Sequence, residues 1–235
     1  MADYATLAII PARGGSKRIA RKNIRPFLGV PLVARPIQTL IESAIFDYVV
    51  VSTDDDEIAA IAEAAGAWVP FRRPAELADD FTPTVPVILD AADRVEQLSG
   101  NEIGELCVVY PAAVFMTKEH LIDAQALLRG RSTDVVMSAT EFPAPIQRAW
   151  RQSDDAAAEM IWPEHRLTRS QDLEPAYFDA GQFYWWSRDA RSKLRSESPI
   201  ATALFKLPPQ FVQDIDTEAD WDEAERKWLR LAERC

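Results

Sequence analysis

The chain reads IIPARGGSKRIARKN over residues 9–23, at the end of a short apolar run. An apolar run of this length is typical of a buried strand, and Pro11 with the adjacent Gly14 and Gly15 ends it and allows a tight turn. Residues 13–25 contain no acid and six cations, namely Arg13, Lys17, Arg18, Arg21, Lys22 and Arg25. Backbone N–H groups beside glycines, together with cationic side chains, bind phosphate oxygens, so this stretch predicts a phosphate-binding loop. A solvated basic turn is the alternative interpretation.

Composition restricts the classes of function. The chain has 235 residues and a formal net charge of -11, which fits one domain over residues 1–235 and argues against general nucleic-acid binding. The sequence contains neither a signal-peptide pattern nor an apolar run that could span a membrane, so we expect a cytoplasmic protein without a membrane contact. Cys107 and Cys235 have neither disulfide-framework nor metal-ligand spacing, and we interpret both as bystanders.

Apolar runs and helical patterns alternate along the first 140 residues. Strands are predicted at 7–10, 48–52, 67–71, 106–110 and 134–139, and helices at 31–46, at 57–65, after Thr82 and from Thr117. This alternation predicts an α/β fold with a mostly parallel sheet. Sites in such sheets lie at the carboxyl ends of the strands, so the loops after Ile10, Thr53, Phe71, Tyr110 and Ala139 are expected to share one crevice.

The alternation of apolar runs and helical patterns stops over residues 141–175, which are rich in proline and contain two tryptophans. This segment is interpreted as an arm inserted into the domain, either a dimer contact or a packed surface loop. Strands are predicted again at 182–186, 203–207 and 211–216, followed by a helix whose capping box is Thr217 and Asp220.

Asp214 and Asp216 are two residues apart on the last predicted strand, so their side chains would point to the same side. Two carboxylates at a strand end suit Mg²⁺, which binds one or two carboxylates plus substrate phosphates. The alternative is that Asp216 is a simple helix cap. Three further aspartates, residues 54–56, are better interpreted as the first turn of a helix than as a metal site.

The first loop resembles the signature I-P-A-R-x-x-S-K-x-x-x-x-K-N of the cytidylyltransferases that activate sialic acids and related nonulosonic acids. The resemblance continues through residues 51–54, 73–78 and 214–217. It implies a Rossmann-like nucleotidyltransferase three-layer sandwich, a homodimer made through the inserted arm, CTP as donor, and Mg²⁺ held by Asp214 and Asp216. It further implies that the triphosphate is bound by Arg13, Gly14, Gly15, Ser16, Lys17, Lys22 and Asn23, and cytidine by Arg73, Thr82 and Thr84.

Residues 169–174 and 177–185 resemble the branch of this family that acts on pseudaminic acid. The polar loop that sialic acid enzymes carry is replaced here by the more apolar 110–116, which suits a deoxygenated sugar. We expect Arg169 to pair with the carboxylate of the sugar acid, and Gln182, Tyr184 and Tyr110 to line its ring.

The reaction implied is in-line attack of the sugar's anomeric hydroxyl on the α-phosphorus of CTP, with Arg13, Lys22 and Asp216 as the catalytic residues and pyrophosphate as the leaving group. His165 is a candidate base or a merely structural histidine. Alternatives are a synthetase for neuraminate, for legionaminate or for the eight-carbon acid of lipopolysaccharide core, and a nucleotide-binding regulatory protein without catalysis.

Overall fold

The computed structural model describes residues 4–152 and 157–233, so Cys235 lies outside the described residues. Its strands, numbered along the chain, are β1 (Ala5–Pro11), β2 (Pro26–Phe27), β3 (Val30–Pro31), β4 (Tyr48–Ser52), β5 (Ile103–Val109), β6 (Val135–Glu141), β7 (Trp150–Arg151), β8 (Glu159–Met160), β9 (Tyr177–Trp186) and β10 (Thr202–Lys206). Six of them form one sheet in the order β10-β6-β9-β5-β1-β4.

All neighbours in this sheet pair in parallel except β9, which runs antiparallel between β5 and β6. Because β9 runs in the opposite direction, its first residues lie at the end of the sheet where the carboxyl ends of the parallel strands are found. The loop after β1 leaves from that same end. The sheet therefore brings the predicted phosphate loop and the start of β9 to one side of the molecule.

Helices cover both faces of the sheet, as expected for a three-layer sandwich. They are α1 (Ala34–Ser43), α2 (Asp56–Ala64), α3 (Thr84–Ser99), α4 (Lys118–Gly130), α5 (Arg188–Arg195) and α6 (Glu218–Ala232). Alternate residues of β1 serve the two layers: Ala8 and Ile10 pack with α1, α2 and α4, while Leu7 and Ile9 pack with α3 and α5. The predicted α/β fold with a mostly parallel sheet is confirmed.

A third, smaller apolar cluster joins the two ends of the chain. Ile19 and Phe27, which follow the basic loop, pack with Ile215 and with Trp221 of α6. The Phe27 and Trp221 rings meet edge to face with centroids 5.6 Å apart. Helix α6 begins with the predicted capping box of Thr217 and Asp220. This cluster holds the residues just before α6 against the loop after β1.

Three sequence predictions were wrong in detail. Residues 67–71 form no sheet strand but a single bridge from Trp68 to Val50, because Pro70 supplies no N–H to a ladder. Residues 211–216 are not a strand either, since Pro208 and Pro209 lead into a 3₁₀ turn, Pro209–Phe211, and irregular backbone follows. The first helix spans only Ala34–Ser43, because Pro31 belongs to the β2–β3 hairpin.

The 141–175 segment departs from the central sheet after β6. Its described part contains the β7–β8 pair and 3₁₀ turns at Ile146–Arg148, Pro163–His165 and Ser170–Asp172. Its role as a dimer arm, the single-domain boundary and a role for His165 stay predictions. Within residues 4–152 and 157–233, no helix combines the length and the apolar content that crossing a bilayer requires.

Candidate active site

The loop after β1 is tied down at both of its ends. The Gly14 N–H donates to Asp54 Oδ1 at 3.0 Å, which joins this loop to the loop after β4. The buried Asn23 donates from Nδ2 to the Arg13 carbonyl at 2.9 Å. These bonds fix the backbone that the cationic side chains leave from.

The two glycines of the loop differ in their surroundings. A Cβ added to Gly14 would lie 2.7 Å from Asp55 Oδ2, whereas one added to Gly15 would meet nothing within 4 Å. Asp55 has little room to move, because it caps α2 and pairs with Arg21, whose guanidinium holds the pKa of Asp55 below its usual range. The close approach at Gly14 therefore requires glycine, and the aspartates at 54–56 have structural roles that include the expected helix cap.

Four of the six predicted cations line one cleft of about 450 Å³. Its lining includes Arg13, Ser16, Lys17, Arg18, Lys22, Asn23, Asp80, Pro111 and Asp216. The other two cations pair elsewhere: Arg21 with acids at the start of α2, and Arg25 with Glu218 at 2.7 Å. Among the described residues, the loops after β4 and β6 contribute no side chain to the lining of this cleft, so only three of the five loops predicted to share a crevice do so.

Asp80 forms one wall of the cleft. Arg13 Nη1 lies 2.9 Å from both Asp80 Oδ1 and the Asp79 carbonyl, and the Lys17 ammonium pairs with the second oxygen of Asp80. Lys17 and Arg13 hold the pKa of Asp80 below its ordinary value. The Asp80 carboxylate thus already pairs with Arg13 and Lys17, two of the cations that were predicted to bind phosphate.

Asp216 also lines the cleft. Lys22 Nζ donates to the Ile215 carbonyl at 2.6 Å and lies 3.3 Å from Asp216 Oδ1, and Arg18 Nη2 lies 2.8 Å from the same oxygen. The irregular backbone at 212–216 thus places Asp216 in the cleft although the predicted strand is absent.

Asp214 lies close to Asp216. Desolvation, followed by the charge of Asp216, raises the pKa of Asp214, while Lys22 opposes the shift. Among the described residues, no three histidines, cysteines or acids group so that they could hold a metal by themselves. Two neighbouring carboxylates beside a basic loop nevertheless suit Mg²⁺, which takes its remaining ligands from phosphates and water. The donor set therefore fits the predicted ion.

The residues predicted to bind cytidine, Arg73, Thr82 and Thr84, are not among those that line the cleft. Arg73 is buried, its Nε donates to Ser52 Oγ at 3.2 Å, and burial lowers its pKa. Thr82 Oγ1 donates to the Glu76 carbonyl at 3.2 Å, and Thr84 Oγ1 lies 3.5 Å from the Tyr110 hydroxyl. Arg73 supports the end of β4 with its bonds to Ser52, and its role toward cytidine stays a prediction.

The predicted sugar ligands are only partly brought together. Tyr110 and Tyr184 meet edge to face with centroids 5.6 Å apart. Gln182 is buried, and its Nε2 donates to the Phe211 carbonyl. Arg169 is exposed and pairs at 2.8 Å with Asp172, without a described contact to the cleft or to these tyrosines. Their roles toward a sugar stay predictions.

Sequence reasoning gave no role in the site to Asp54, Asp80 and Asp179, and it named Arg18 only as one of the six cations of the basic stretch. Arg18 belongs to the basic stretch, and its position there was the available signal. The partners of the three aspartates are distant in sequence: Asp54 binds the Gly14 N–H, Asp80 binds two cations, and the Asp179 carboxylate accepts from the Tyr184 hydroxyl at 2.7 Å. A single sequence carries no signal for such pairings. Cys107 is buried with a raised pKa, as expected of a bystander.

Comparison with known proteins places this geometry in context. A family model described as "Cytidylyltransferase" matches residues 7–103, which carry the basic loop and the loop after β4. The chain is 40% identical, over 91% of its length and 92% of the relative's, to a pseudaminic acid cytidylyltransferase of Campylobacter jejuni. It is 30% identical, over 92% of both chains, to a CMP-N,N'-diacetyllegionaminic acid synthase of Legionella pneumophila.

The fold also has a solved counterpart. A CMP:2-keto-3-deoxy-manno-octonic acid synthetase complexed with CTP superposes with a TM-score of 0.70 at 15% identity, over 96% of this chain and 99% of the other. At that identity the likeness concerns the fold alone. It confirms the nucleotidyltransferase type of three-layer sandwich.

Proposed function

The chain belongs to the cytidylyltransferase family, and we propose that it transfers CMP from CTP to pseudaminic acid with release of pyrophosphate. The acceptor is an acid with acylamino substituents, in line with the N,N'-diacetyl product named for the Legionella relative. Because CTP is the donor, the expected location is the cytoplasm, where nucleoside triphosphates are made.

The contact between Lys22 and Asp216 carries this proposal. It joins the end of the basic loop to the acid pair across 194 residues, with Arg18 on the same carboxylate. A cleft lined by four cations, with Asp216 in its lining and Asp214 close to Asp216, suits a nucleoside triphosphate with its metal ion. A regulatory protein that only bound nucleotide would have no need for the acid pair.

The chain's own residues act mainly by positioning and by charge. The cations of the basic loop bind the triphosphate, and Arg13 and Lys22 stabilise the negative charge that collects on the departing pyrophosphate. The anomeric hydroxyl forms the new bond to the α-phosphorus while the bond to the bridging oxygen breaks, and the hydroxyl proton is released. Holding the two reactants in line is the largest contribution that such a site makes.

Asp214 and Asp216 are proposed to hold Mg²⁺. When bound there, the ion neutralises phosphate charge and lowers the pKa of a hydroxyl that it coordinates. Lys22 and Arg18 orient the Asp216 carboxylate through their bonds to Oδ1, and the Ile215 carbonyl fixes the Lys22 ammonium.

The test of the proposed function compares sugar acids. The higher identity to the Campylobacter relative supports pseudaminic acid, and the Legionella relative makes legionaminic acid the second candidate. Pyrophosphate release is measured with CTP, Mg²⁺ and, in parallel, pseudaminic, legionaminic and N-acetylneuraminic acids. Release with pseudaminic acid alone is expected. A preference for another acid overturns the sugar assignment, and no release with any acid overturns the transferase activity.

We also propose that the 141–175 arm forms a homodimer contact. Trp150 is 62% exposed and Leu167 is 92% exposed, an unusual display of large apolar side chains on one segment. Light scattering after size-exclusion chromatography tests this: the wild type is expected as a dimer, and a variant with Trp150→Ser and Leu167→Ser as a folded monomer. The matched control is Phe81→Ser, since Phe81 is 92% exposed outside the arm. A monomeric wild type contradicts the proposal.

A further inference from the structure

We propose that Asp179 is a specificity-determining residue for the sugar acid: its carboxylate accepts a hydrogen bond from an N–H or O–H group of the sugar, and Tyr184 positions it. This inference rests on the proposed function and names the chemistry by which the acceptor is recognised.

A large irregularity in β9 creates the arrangement. Opposite β6, the register moves from Tyr184 paired with Met137 to Asp179 paired with Ala139, so four residues of β9 lie opposite one residue of β6. Gly181, with φ of +62°, makes the turn that this bulge requires. The bulge brings the Asp179 carboxylate within hydrogen-bond distance of the Tyr184 hydroxyl, although the two residues are five apart in sequence.

The Asp179 carboxylate is held in place but not saturated. The Tyr184 hydroxyl lies 2.8 and 2.7 Å from its two oxygens, and the Gly181 N–H donates at 2.8 Å. A carboxylate offers roughly four acceptor positions, so about two remain available. Asp179 is exposed, and no cation pairs with it among the described residues. A fixed, exposed and unneutralised carboxylate is a strong acceptor for a ligand's donor group.

The position of Asp179 suits a sugar bound next to the nucleotide. It lies near the start of β9, at the sheet edge from which the phosphate loop leaves, and two strand spacings of roughly 5 Å separate β9 from β1. A line of contacts also leads back toward the cleft: Tyr184 touches Tyr110, and the Tyr110 hydroxyl touches Thr84, which begins the helix after the Asp80 loop.

The chemistry of this position selects for donors. A carboxylate repels the acidic group of the substrate and the phosphates, so these must lie elsewhere, while an acylamino N–H or a hydroxyl is attracted. A carboxylate that accepts from N–H and O–H donors suits a sugar that bears acylamino groups.

The test is steady-state pyrophosphate release with each substrate varied in turn, together with calorimetric CTP binding in the absence of sugar. Asp179→Asn is expected to raise KM for the sugar acid about tenfold, since it removes a charge-assisted hydrogen bond. Tyr184→Phe keeps the Asp179 carboxylate but removes the hydroxyl that holds it in place. This variant is expected to raise the KM for the sugar acid about threefold. CTP affinity is expected to stay at the wild-type value in both. The matched control is Asp189→Asn, which removes an exposed acid at the opposite edge of the sheet, just after β9 ends.

Each outcome decides a separate point. If the wild type is active and the KM for the sugar acid is unchanged in both variants, or if CTP affinity falls in parallel, Asp179 is not a sugar ligand. If Asp179→Asn does not fold, Asp179→Glu decides by the same measurement: it keeps the charge but displaces the carboxylate, so an unchanged KM for the sugar acid would overturn the assignment. Absence of activity in the wild type with every sugar acid overturns the proposed function, and this inference with it.

Discussion

Lys22 and Asp216 are 194 residues apart in sequence, and Lys22 Nζ lies 3.3 Å from Asp216 Oδ1. The packing of Ile19 and Phe27 against Ile215 and Trp221 makes this contact possible, because it joins the segment after the basic loop to the start of α6. The two sides of the cleft are therefore assembled by the last apolar cluster of the chain rather than by the sheet alone.

Replacement of Asp216 by Asn tests the proposed metal site. The variant keeps the shape of the side chain but removes its charge, and we expect turnover to fall by about 10²-fold and more Mg²⁺ to be needed for half-maximal rate. Pyrophosphate release over a Mg²⁺ titration measures both. Asp222→Asn, which changes an exposed acid one turn into α6, is the control. Wild-type turnover in Asp216→Asn would remove the metal assignment.

Lys22 and Arg21 are neighbours in sequence, but we expect their substitution to affect activity very differently. Lys22 faces the cleft, whereas Arg21 pairs with Asp55 and Glu57 outside it. Lys22→Gln is expected to lower kcat/KM for CTP by about 10²-fold, since it removes a cation from the developing negative charge. Arg21→Gln removes the same charge one residue away and is expected to stay within about threefold of wild type. Equal losses in both variants would indicate a general charge effect instead of a site.

Asp80 is expected to compete with CTP. It binds Arg13 and Lys17, so the triphosphate must displace it before these cations can bind phosphate. Asp80→Asn is therefore expected to tighten CTP binding about three- to tenfold in calorimetry, with a stronger dependence on salt, because no internal ion pair is lost when the phosphates bind. Asp56→Asn, an equal charge change paired with Arg72 outside the cleft, is the control. Weaker binding in Asp80→Asn would mean that Asp80 instead holds the loop in its binding conformation.

The parts of the fold that sequence predicted well are those decided by local pattern. Continuous apolar runs such as residues 106–110 must be buried on both faces, so the parallel strands and the order of the helices could be predicted. The prediction for 211–216 was wrong because alternation describes side chains only. Pro208 and Pro209 impose a 3₁₀ turn, yet Asp216 still reaches the cleft because Ile215 is anchored in the third cluster.

The residues of the candidate site also fall into two groups: those that local sequence predicted and those that depend on distant partners. Glycines and cations after a strand predicted the phosphate loop, since their chemistry is local. Composition and spacing alone could not predict which cations face the cleft, because Arg21 and Lys22 differ only in their distant partners; the family resemblance is what singled out Lys22. Asp80 and Asp179 were missed for that reason, as each is made significant by residues that a loop or a bulge brings close.

Alanine substitutions at Gly14 and Gly15 are expected to differ in their effect on the free energy of unfolding. A Cβ at Gly14 would force Asp55 Oδ2 to move from 2.7 Å, which disturbs the cap of α2, whereas Gly15 has open space. Gly14→Ala is expected to lower the free energy of unfolding by about 1 kcal/mol, the typical cost of a lost helix cap. Gly15→Ala is expected to leave it unchanged. Urea unfolding measures both, and equal stabilities would show that the loop relaxes around the new methyl group.

His120 is expected to make stability depend on pH. Its Nδ1 accepts the Thr117 N–H at the start of α4, its ring packs against Phe205 and Phe211, and burial lowers its pKa while Glu119 and Asp123 oppose the shift. The folded protein therefore binds fewer protons than the unfolded chain just below the unfolded pKa of about 6.5, so stability is full above that pH and falls as pH drops through it.

The variant His120→Gln separates this effect from the titration of other groups. Glutamine can accept the Thr117 N–H as in a capping box but carries no titratable proton. Urea unfolding at pH 7.5 and pH 5.5 is the measurement, and the wild type is expected to lose more stability between the two than His120→Gln does. Equal losses would mean that His120 becomes protonated in the folded protein without resistance, which its burial between two phenylalanines opposes.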